Sequence, residues 1–314
     1  MDFRGATEGR AASFIHMGES DYPRGKFRAV VAPTWNRWPV CQGGGWEMST
    51  AAIDRKTEAL LRLREVAKER LSQLPEADRI AAEERHRARN RILYDFPDTG
   101  PLRRELYPRS MEFFAAGAEH DERAFIAANR LGKSRTAADE VAYHMTGMYP
   151  HWWVGRRFKK ATTWWAVNES WKLVRDINQA ELLGTPDRLD LIGTGAIPAH
   201  LIVGEPDKNP HIKFGYESFR ARHVTGGVSS LQFKSYEQGR GEFVAVKITG
   251  GIWLDEGCPL DIYSECQIRV ANTEGPEGSK KNGILFLTYT PMSGPTPLIM
   301  DIKRRAVNAN EIGW

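Results

Sequence analysis

The hydrophobic pattern divides the chain into three stretches of different character. Residues 1–50 are rich in glycine, proline and tryptophan and have neither a helical nor an alternating period, which predicts an irregular arm. Apolar residues at helical spacing follow, and they predict a helical lid or linker segment over residues 51–104. From residue 105 to residue 314, short apolar runs alternate with helical stretches, which indicates one larger domain.

The middle stretch predicts two charged helices separated by Pro75. The first carries an apolar stripe of four residues, Leu60, Leu61, Val66 and Leu71. The second is expected from about Glu76 to Leu93 and carries a run of arginines, Arg85, Arg87, Arg89 and Arg91. The pattern favours solvated helices that cover a neighbouring domain, and contact of the arginines with DNA is the alternative.

The third stretch predicts a buried sheet. Short apolar runs between helices are typical of parallel strands that are covered on both faces. The runs are Ala124–Ala128, Leu189–Ile192, Leu201–Val203, Gly251–Leu254 and Ile284–Thr288. We therefore predict an α/β fold in which a mainly parallel central sheet lies between two layers of helices.

Composition narrows the class of protein. Among 314 residues the formal net charge is +4, which is compatible with a nucleic-acid partner without requiring one. The three cysteines form no CxxC pair, so a disulfide framework is not expected. No apolar run reaches the roughly 18–20 residues that cross a bilayer, and the N-terminus has no signal-peptide pattern. These features predict a cytoplasmic protein without a membrane segment.

A phosphate-binding loop is predicted where the first apolar run meets a helix pattern that continues to about Met145. The loop consists of Ala128, Asn129, Arg130, Leu131, Gly132, Lys133 and Ser134. Gly132 lets the backbone approach phosphates, Lys133 would reach the β- and γ-phosphates of ATP, and the Ser134 hydroxyl would ligate Mg²⁺. Ala127 replaces the first glycine of the common GxxxxGK[ST] pattern. The motif alone is thus also compatible with a chance GKS at the start of a helix.

Two adjacent carboxylates, Asp255 and Glu256, end the apolar run that begins at Gly251. Such a pair at the end of a strand is what a Walker B motif needs, because neighbouring side chains point in opposite directions. Asp255 would hold Mg²⁺ through its water shell, and Glu256 would orient or deprotonate the attacking water. An acidic turn is the alternative, but the order of the two motifs favours an ATP-hydrolysing site.

A third apolar strand ends in hydroxyl residues, Thr288 and Thr290, about thirty residues after the acidic pair. A hydroxyl at the end of a strand beside the phosphate loop can sense the γ-phosphate and relay hydrolysis to a neighbouring element. For Thr288 alone, the β-propensity of threonine is the preferred explanation.

In this order, the three motifs resemble the ATPase domain of the large terminase subunit of tailed bacteriophages. The segments Ser235–Arg240 and Gly241–Phe243 look like the family's sequence before Walker B, and Thr290-Pro291 with Ser293-Gly294 look like one branch of the family. The resemblance covers roughly residues 105–300. It implies an ATP- and Mg²⁺-dependent motor that forms a homo-oligomeric ring on a portal protein.

The resemblance also implies partners and residue roles. The motor would draw double-stranded DNA into a procapsid in the bacterial host cytoplasm, together with a small terminase subunit. Lys133 and Ser134 would bind phosphate and Mg²⁺, Asp255 would hold the metal, and Glu256 would be catalytic. Thr288 to Thr290 would form the coupling motif, in which Thr290 is taken as a catalytic residue.

Two departures from the family pattern concern arginine and the nuclease. Many terminases place an arginine four residues before the lysine; here Asn129 stands there, and Arg130 is expected to take the γ-phosphate role. Arg269 is a looser candidate for a finger supplied to a neighbouring subunit. The chain ends about two dozen residues after Thr290, so the family's C-terminal nuclease domain, and nuclease activity, are not expected. A helicase-like translocating ATPase and a truncated, inactive DNA- or protein-binding remnant are the alternatives.

Aromatic residues near the loop allow two interpretations. Trp164, Trp171 and Val174 share one face at helical spacing, which favours a core helix, whereas nearby bases such as Arg156 and Lys160 would suit single-strand stacking. The cluster consists of Trp152, Trp153, Trp164, Trp165 and Trp171. Phe113 and Phe114 precede the loop strand and are assigned either to adenine stacking or to the core. Asp187 and Asp190 are expected in a solvated loop.

Overall fold

The computed structural model describes residues 12–17, 58, 62–63, 65–244, 246–271, 283–292, 294–308 and 312–313, with backbone only for 12–17, 307–308 and 312–313. Most of the predicted arm at residues 1–50, as well as Leu60, Leu61 and Ser293, lies outside these residues. The chain forms two compact units, one of Met1–Arg24 with Ala88–Trp314 and one of Gly25–Arg87. The candidate site lies in the first unit.

A nine-stranded sheet forms the centre of the first unit, in the order β4-β5-β6-β3-β7-β8-β2-β1-β9. The strands are β1 Ala12–Met17, β2 Glu122–Ala127, β3 Thr163–Asn168, β4 Asp207–Lys208, β5 Tyr216–Arg222, β6 Val228–Ser235, β7 Gly251–Asp255, β8 Ile284–Tyr289 and β9 Ile312–Gly313. Strands from β6 to β9 in this order pair in parallel, and β4, β5 and β6 pair antiparallel. The predicted mainly parallel sheet is confirmed.

Helices cover both faces of this sheet. They are α2 Pro108–Ala116, α3 Lys133–Thr146, α4 (Trp171–Leu173, the π-helical Val174–Gln179 and Ala180–Leu183), α5 Leu260–Val270 and α6 Pro297–Asn308. A further helix, α1 Glu76–Arg89, belongs mostly to the second unit. Trp164 packs into the core with α2, α3 and α4, whereas its neighbour Trp165 packs into the second core with α5 and α6. Alternate side chains of each central strand therefore enter opposite cores, which confirms the three-layer arrangement.

The apolar runs that were correctly predicted as strands form parallel strands of the sheet. Every residue of β2, β7 and β8 is buried, because these strands lie between neighbours and under helices on both faces. The loop helix, predicted to about Met145, ends at Thr146 in α3. The second charged helix was predicted to continue to Leu93, but α1 ends at Arg89 and a 3₁₀ turn, Arg91–Leu93, follows.

Two predicted strands are wrong. Leu189–Ile192 contains a 3₁₀ turn, Leu189–Leu191, in a stretch where Leu189 is 66% exposed. Leu201–Val203 follows another 3₁₀ turn, Ala199–Leu201, and contributes a single bridge between Ile202 and Ala221. Glycine or proline residues flank both runs and interrupt the extended backbone that a strand needs.

The tryptophan cluster is a core feature, but not in the predicted helix. Trp164 and Trp165 lie on strand β3, each 1% exposed, and Trp153 is 4% exposed. Trp152 and Trp171 are half-buried and pack against the first core. Trp171 alone begins a helix, at the Ser170 cap, whose hydroxyl accepts from the Leu173 amide. Burial of Trp153, Trp164 and Trp165 leaves core packing, rather than base stacking, as the role of these three rings.

Within the described residues, no helix combines the length and the hydrophobicity needed to cross a membrane.

Candidate nucleotide-binding site

The parallel strands β2, β7 and β8 end at the same edge of the sheet, and each predicted motif lies at the end of one of them. The phosphate loop follows β2, the acidic pair ends β7 and Thr290 follows β8. Strand β8 pairs with both β2 and β7, so it lies between the loop and the acidic pair. Strand order thus brings together residues that are more than 120 positions apart in the chain.

The loop between β2 and α3 contains two residues in the left-handed region. Arg130 has φ +62° and Gly132 has φ +79°. Space is available for a Cβ at Gly132, so glycine is required there by its backbone angle and not by a close neighbour. These angles turn the chain sharply into α3, whose first residue is Lys133. The free amides of that helix end face the loop, as in an anion-binding site.

Lys133 lies over the loop and faces the acidic pair. Its side chain is 6% exposed, and Nζ donates to the carbonyl oxygen of Ala128 at 2.9 Å. Burial lowers the pKa of Lys133, while the charges of Glu256 and Asp255 oppose that shift. The ammonium group is therefore a positive charge held in a partly desolvated place next to two carboxylates.

Asp255 is the most enclosed acid of the site, at 1% exposed. Its Oδ1 accepts from the Thr288 hydroxyl at 2.5 Å, and its Oδ2 lies 3.5 Å from the Ser134 hydroxyl. Burial raises the pKa of Asp255 to about 7; the hydrogen bond from Thr288 opposes this, and the neighbouring Glu256 charge adds to it. A buried carboxylate whose ionised form is disfavoured to this degree fits a place where a cation belongs.

Glu256 leaves the strand with an unusual backbone angle, φ +59°. Its amide donates to the carbonyl oxygen of Thr288 at 2.8 Å, which continues the β7–β8 ladder by one step. The carboxylate turns toward the end of β8, where Thr290 donates to it from both its amide and its hydroxyl. Asp255 and Glu256 therefore bond to different residues at the end of β8, Thr288 and Thr290 respectively.

Sequence reasoning missed three residues: Asn168 and Tyr236, which bond to Asp255, and Asn178, which bonds to Asn168. The Asn168 amide donates to Oδ2 of Asp255 at 3.1 Å and to Oδ1 of Asn178 at 3.0 Å. The Tyr236 hydroxyl donates to the backbone carbonyl oxygen of Asp255 at 3.2 Å. Tyr236 lies in the segment quoted for the resemblance, which is a signal that was available. Asn168 had none, because β3 was predicted as part of a helix.

Other predicted residues lie away from the acidic pair. Phe113 and Phe114 are 0% and 1% exposed, and they pack in the core of α2, so the adenine-stacking interpretation is wrong. Arg269 pairs with Glu265 one turn before it on α5, at 2.5 Å. Asp187 and Asp190 are exposed, and Asp190 pairs with Arg188. These two acids therefore lie in a solvated loop, as predicted.

The remaining loop residues lie around a cleft beside α3. Asn129 is exposed, and its amide lies 2.8 Å from the sulfur of Met292 in the loop after β8. Arg130 is exposed and lines the cleft together with Leu131 and Gly132. The opposite wall is formed by Asp95, Phe96, Leu102 and Tyr107, and Arg135 and Thr136 complete the cleft.

Comparison with known proteins identifies a family for this chain. Residues 124–293 match the profile of the family described as terminase large subunit, T4likevirus-type, N-terminal. This chain belongs to the terminase large subunit family. The matched region begins in β2 and ends after β8, so it includes the phosphate loop, the acidic pair and Thr290, but not the cleft wall at residues 95–107.

The terminase large subunit of Salmonella phage P22 is a relative of this chain. The two are 31% identical over 234 aligned residues, and the match covers 69% of this chain and 43% of the P22 protein. The matched part of this chain thus corresponds to less than half of the length of that relative.

Proposed function

We propose that this terminase chain is the ATP-hydrolysing motor that moves double-stranded DNA into a procapsid. One observation carries the proposal: Lys133 and Ser134 at the start of α3 face Asp255 and Glu256 across the end of β8. A basic residue, a hydroxyl and two differently directed carboxylates are the groups that phosphoryl transfer from ATP to water requires. The partners that follow from it are a portal protein, a small terminase subunit and further copies of this chain in a ring, in the host cytoplasm.

The residues around Asp255 fit a Mg²⁺ ion. Ser134 and Asp255 present hard oxygen atoms, which Mg²⁺ prefers, and the buried Asp255 carboxylate lacks a full counter-charge. When bound, Mg²⁺ would neutralise charge that develops on the β- and γ-phosphate oxygens. Lys133 would release the Ala128 carbonyl and donate to phosphate oxygens instead, aided by the amides of residues 129–134. Asp255 would accept from the water shell of the metal.

Glu256 is the residue we assign to the attacking water. Its two carboxylate oxygens accept from Thr290, so the group is already oriented before ATP arrives. A carboxylate in this state can accept a proton as the water oxygen bonds to the γ-phosphorus and the bond to ADP breaks. Arg130, exposed beside the loop, is assigned to the γ-phosphate charge.

The cleft beside α3 suits the purine base of ATP. Phe96 and Tyr107 supply aromatic rings whose centres lie 5.5 Å apart, and Leu102 and Leu131 supply apolar surface. This replaces Phe113 and Phe114 as the candidates for contact with the base. Asp95 and Arg135 give the same cleft polar atoms that can bond to base nitrogens.

Phosphate release from ATP, with and without long duplex DNA, tests the proposed function. The wild-type chain should hydrolyse ATP in the presence of Mg²⁺, and its rate of phosphate release should change when duplex DNA is added. In Lys133→Ala the turnover should fall at least a hundredfold. Among the described residues, the hydrogen-bond partner of Lys133 is a loop carbonyl, so its removal should change the melting temperature little. Normal turnover in this variant would show that the site lies elsewhere. Strand separation of a forked duplex would favour the helicase-like alternative, and absent hydrolysis in wild type would favour the inactive remnant.

A further inference from the structure

A buried asparagine at the end of β3 contacts the candidate metal carboxylate. Asn168 is 0% exposed and is the last residue of its strand. Its side-chain oxygen accepts from the Glu169 amide at 2.8 Å, so the NH₂ group must face the other way. That NH₂ group makes two hydrogen bonds, one to Asp255 and one to Asn178. All of its polar atoms therefore have defined partners, and its orientation is fixed.

The second asparagine lies in an irregular part of helix α4. Asn178 belongs to the π-helical turn Val174–Gln179 and is also 0% exposed. Its oxygen accepts from Asn168, but its own Nδ2 has no hydrogen-bond partner among the residues that the structure describes. An unsatisfied buried amide is destabilising, and π turns are frequent at functional sites. The turn thus keeps Asn178 beside Asn168 at a cost in stability.

We propose that Asn168 is a positioning residue that holds Asp255 for its cation, and that Asn178 in turn holds Asn168. The inference rests on the proposed function. Thr288 fixes Oδ1 of Asp255, and Asn168 fixes Oδ2. Ser134, the other donor to Oδ2, would turn to the metal, so Asn168 would be the donor that remains on that oxygen. Without the hydrogen bond from Asn168, the buried Asp255 carboxylate could rotate about its Cβ–Cγ bond and present its oxygens to the cation in the wrong orientation.

The expected effect is on metal affinity. Residues that orient a metal ligand through a hydrogen bond typically change metal affinity or activity by about 10–100-fold when removed. For Asn168→Ala we expect the Mg²⁺ concentration that gives half-maximal effect to rise by about tenfold or more. Saturating Mg²⁺ should restore most of the turnover, because the phosphate loop and Glu256 are untouched. Asn178→Ala should change the Mg²⁺ dependence in the same direction by less.

The test measures binding of a fluorescent ATP analogue, mant-ATP, to the full chain with and without Mg²⁺, alongside ATP turnover over a range of Mg²⁺ concentrations. The control is Ser229→Ala, because Ser229 is equally buried on the adjacent strand β6 and also makes two hydrogen bonds, to Met145 and Thr162. This control loses comparable buried bonds at the other end of the sheet. It should lower the melting temperature without moving the Mg²⁺ dependence.

The outcomes separate the two proposals. If Asn168→Ala and Asn178→Ala keep metal-free mant-ATP affinity but lose the gain that Mg²⁺ gives, Asn168 positions Asp255. If metal-free and metal-bound affinities fall together, as the melting temperature does, Asn168 is structural and the inference is overturned. Unchanged Mg²⁺ dependence in a folded variant also overturns it. A wild-type chain whose mant-ATP binding is indifferent to Mg²⁺ would instead refute the proposed function.

Discussion

Thr290 holds Glu256 at two points. Its hydroxyl donates to Oε1 at 2.7 Å and its amide donates to Oε2 at 3.0 Å, so the end of β8 is tied to the end of β7. Glu256 adopts a left-handed backbone angle, which costs a non-glycine residue on the order of 1 kcal/mol. The two hydrogen bonds compensate that cost and fix where the carboxylate points. Any shift of the loop after β8 would move the carboxylate with it.

This relationship predicts that Thr290→Val slows ATP turnover and leaves ATP affinity nearly unchanged. Valine keeps the shape and the amide bond but removes the hydroxyl, a hydrogen bond to a charged group worth about 1.5–3 kcal/mol. Loss of that orientation should lower kcat by about tenfold or more. Thr290→Ser keeps the hydroxyl and is the control, expected near wild type. A raised KM with normal kcat would show that Thr290 acts in binding.

Glu256→Gln should separate binding from hydrolysis. Glutamine keeps the size of the side chain and can still accept from Thr290 through its oxygen, but it is not a base. We expect mant-ATP with Mg²⁺ to bind, and phosphate release to fall at least a hundredfold, within the range of about 10²–10⁴ for general-base catalysis. If Glu256 only shaped the loop, Glu256→Gln would keep the wild-type turnover. Lost affinity together with residual turnover in proportion to occupancy would make Glu256 a binding residue.

The three motifs could be found in the sequence because each of them lies at the end of a fully buried strand. β2, β7 and β8 have continuous apolar runs, which identify central parallel strands without further information. By contrast, β5 and β6 were missed. They pair antiparallel at one side and alternate buried and exposed positions, a weaker signal in a sequence of mixed polarity.

Strand β3 shows why the site was only partly predictable. Its residues Thr163–Asn168 are nearly all buried, but Trp164, Trp171 and Val174 also fit a helical spacing, and the helix was preferred. The role of Asn168 depends on β3 lying next to β7, and sheet order is set by packing rather than by local pattern. The burial of Phe113 and Phe114 also depends on packing, because it follows from their contacts with Phe125 and Tyr143 respectively.

A buried ion pair joins the loop strand to the loop helix and should control stability. Arg123 in β2 and Glu140 in α3 are 0% exposed in their side chains, and they bond at 2.5 and 3.1 Å. Glu140→Gln would leave the arginine charge uncompensated in the core, which typically costs about 3–5 kcal/mol of unfolding free energy. Urea denaturation followed by tryptophan fluorescence would measure this loss.

Two further variants make this prediction specific. Arg123→Met combined with Glu140→Leu removes both charges, so it should be less destabilised than Glu140→Gln alone, because no charge remains buried. The control is Asp190→Asn, which breaks an exposed pair with Arg188 and should change stability by about 1 kcal/mol or less. Equal losses in the core and surface variants would contradict the assignment.

The pH dependence of stability should contain a contribution from His144. This residue is fully buried, stacked on Trp164 at 5.5 Å between ring centres, with its nitrogens near Glu140 and Tyr149. Burial lowers the pKa of His144 below 6.5, although the Glu140 hydrogen bond and charge oppose the shift and the charges of Arg123 and Arg156 add to it. The folded state therefore prefers the neutral imidazole.

The direction of the effect follows from proton binding. Above pH 6.5 neither the folded nor the unfolded state protonates His144, so the residue contributes no pH dependence. Below pH 6.5 the unfolded state binds the proton first, and stability falls until the pH reaches the lowered pKa of the folded state.

We expect the urea midpoint to fall between pH 7.5 and pH 5.5, and to fall less steeply in His144→Gln. His151→Gln, at a side chain 72% exposed, should keep the wild-type slope. His223, whose pKa is also lowered by burial, should supply part of the slope that remains in His144→Gln. If His144→Gln and wild type lose stability in parallel, His144 is not the group that titrates.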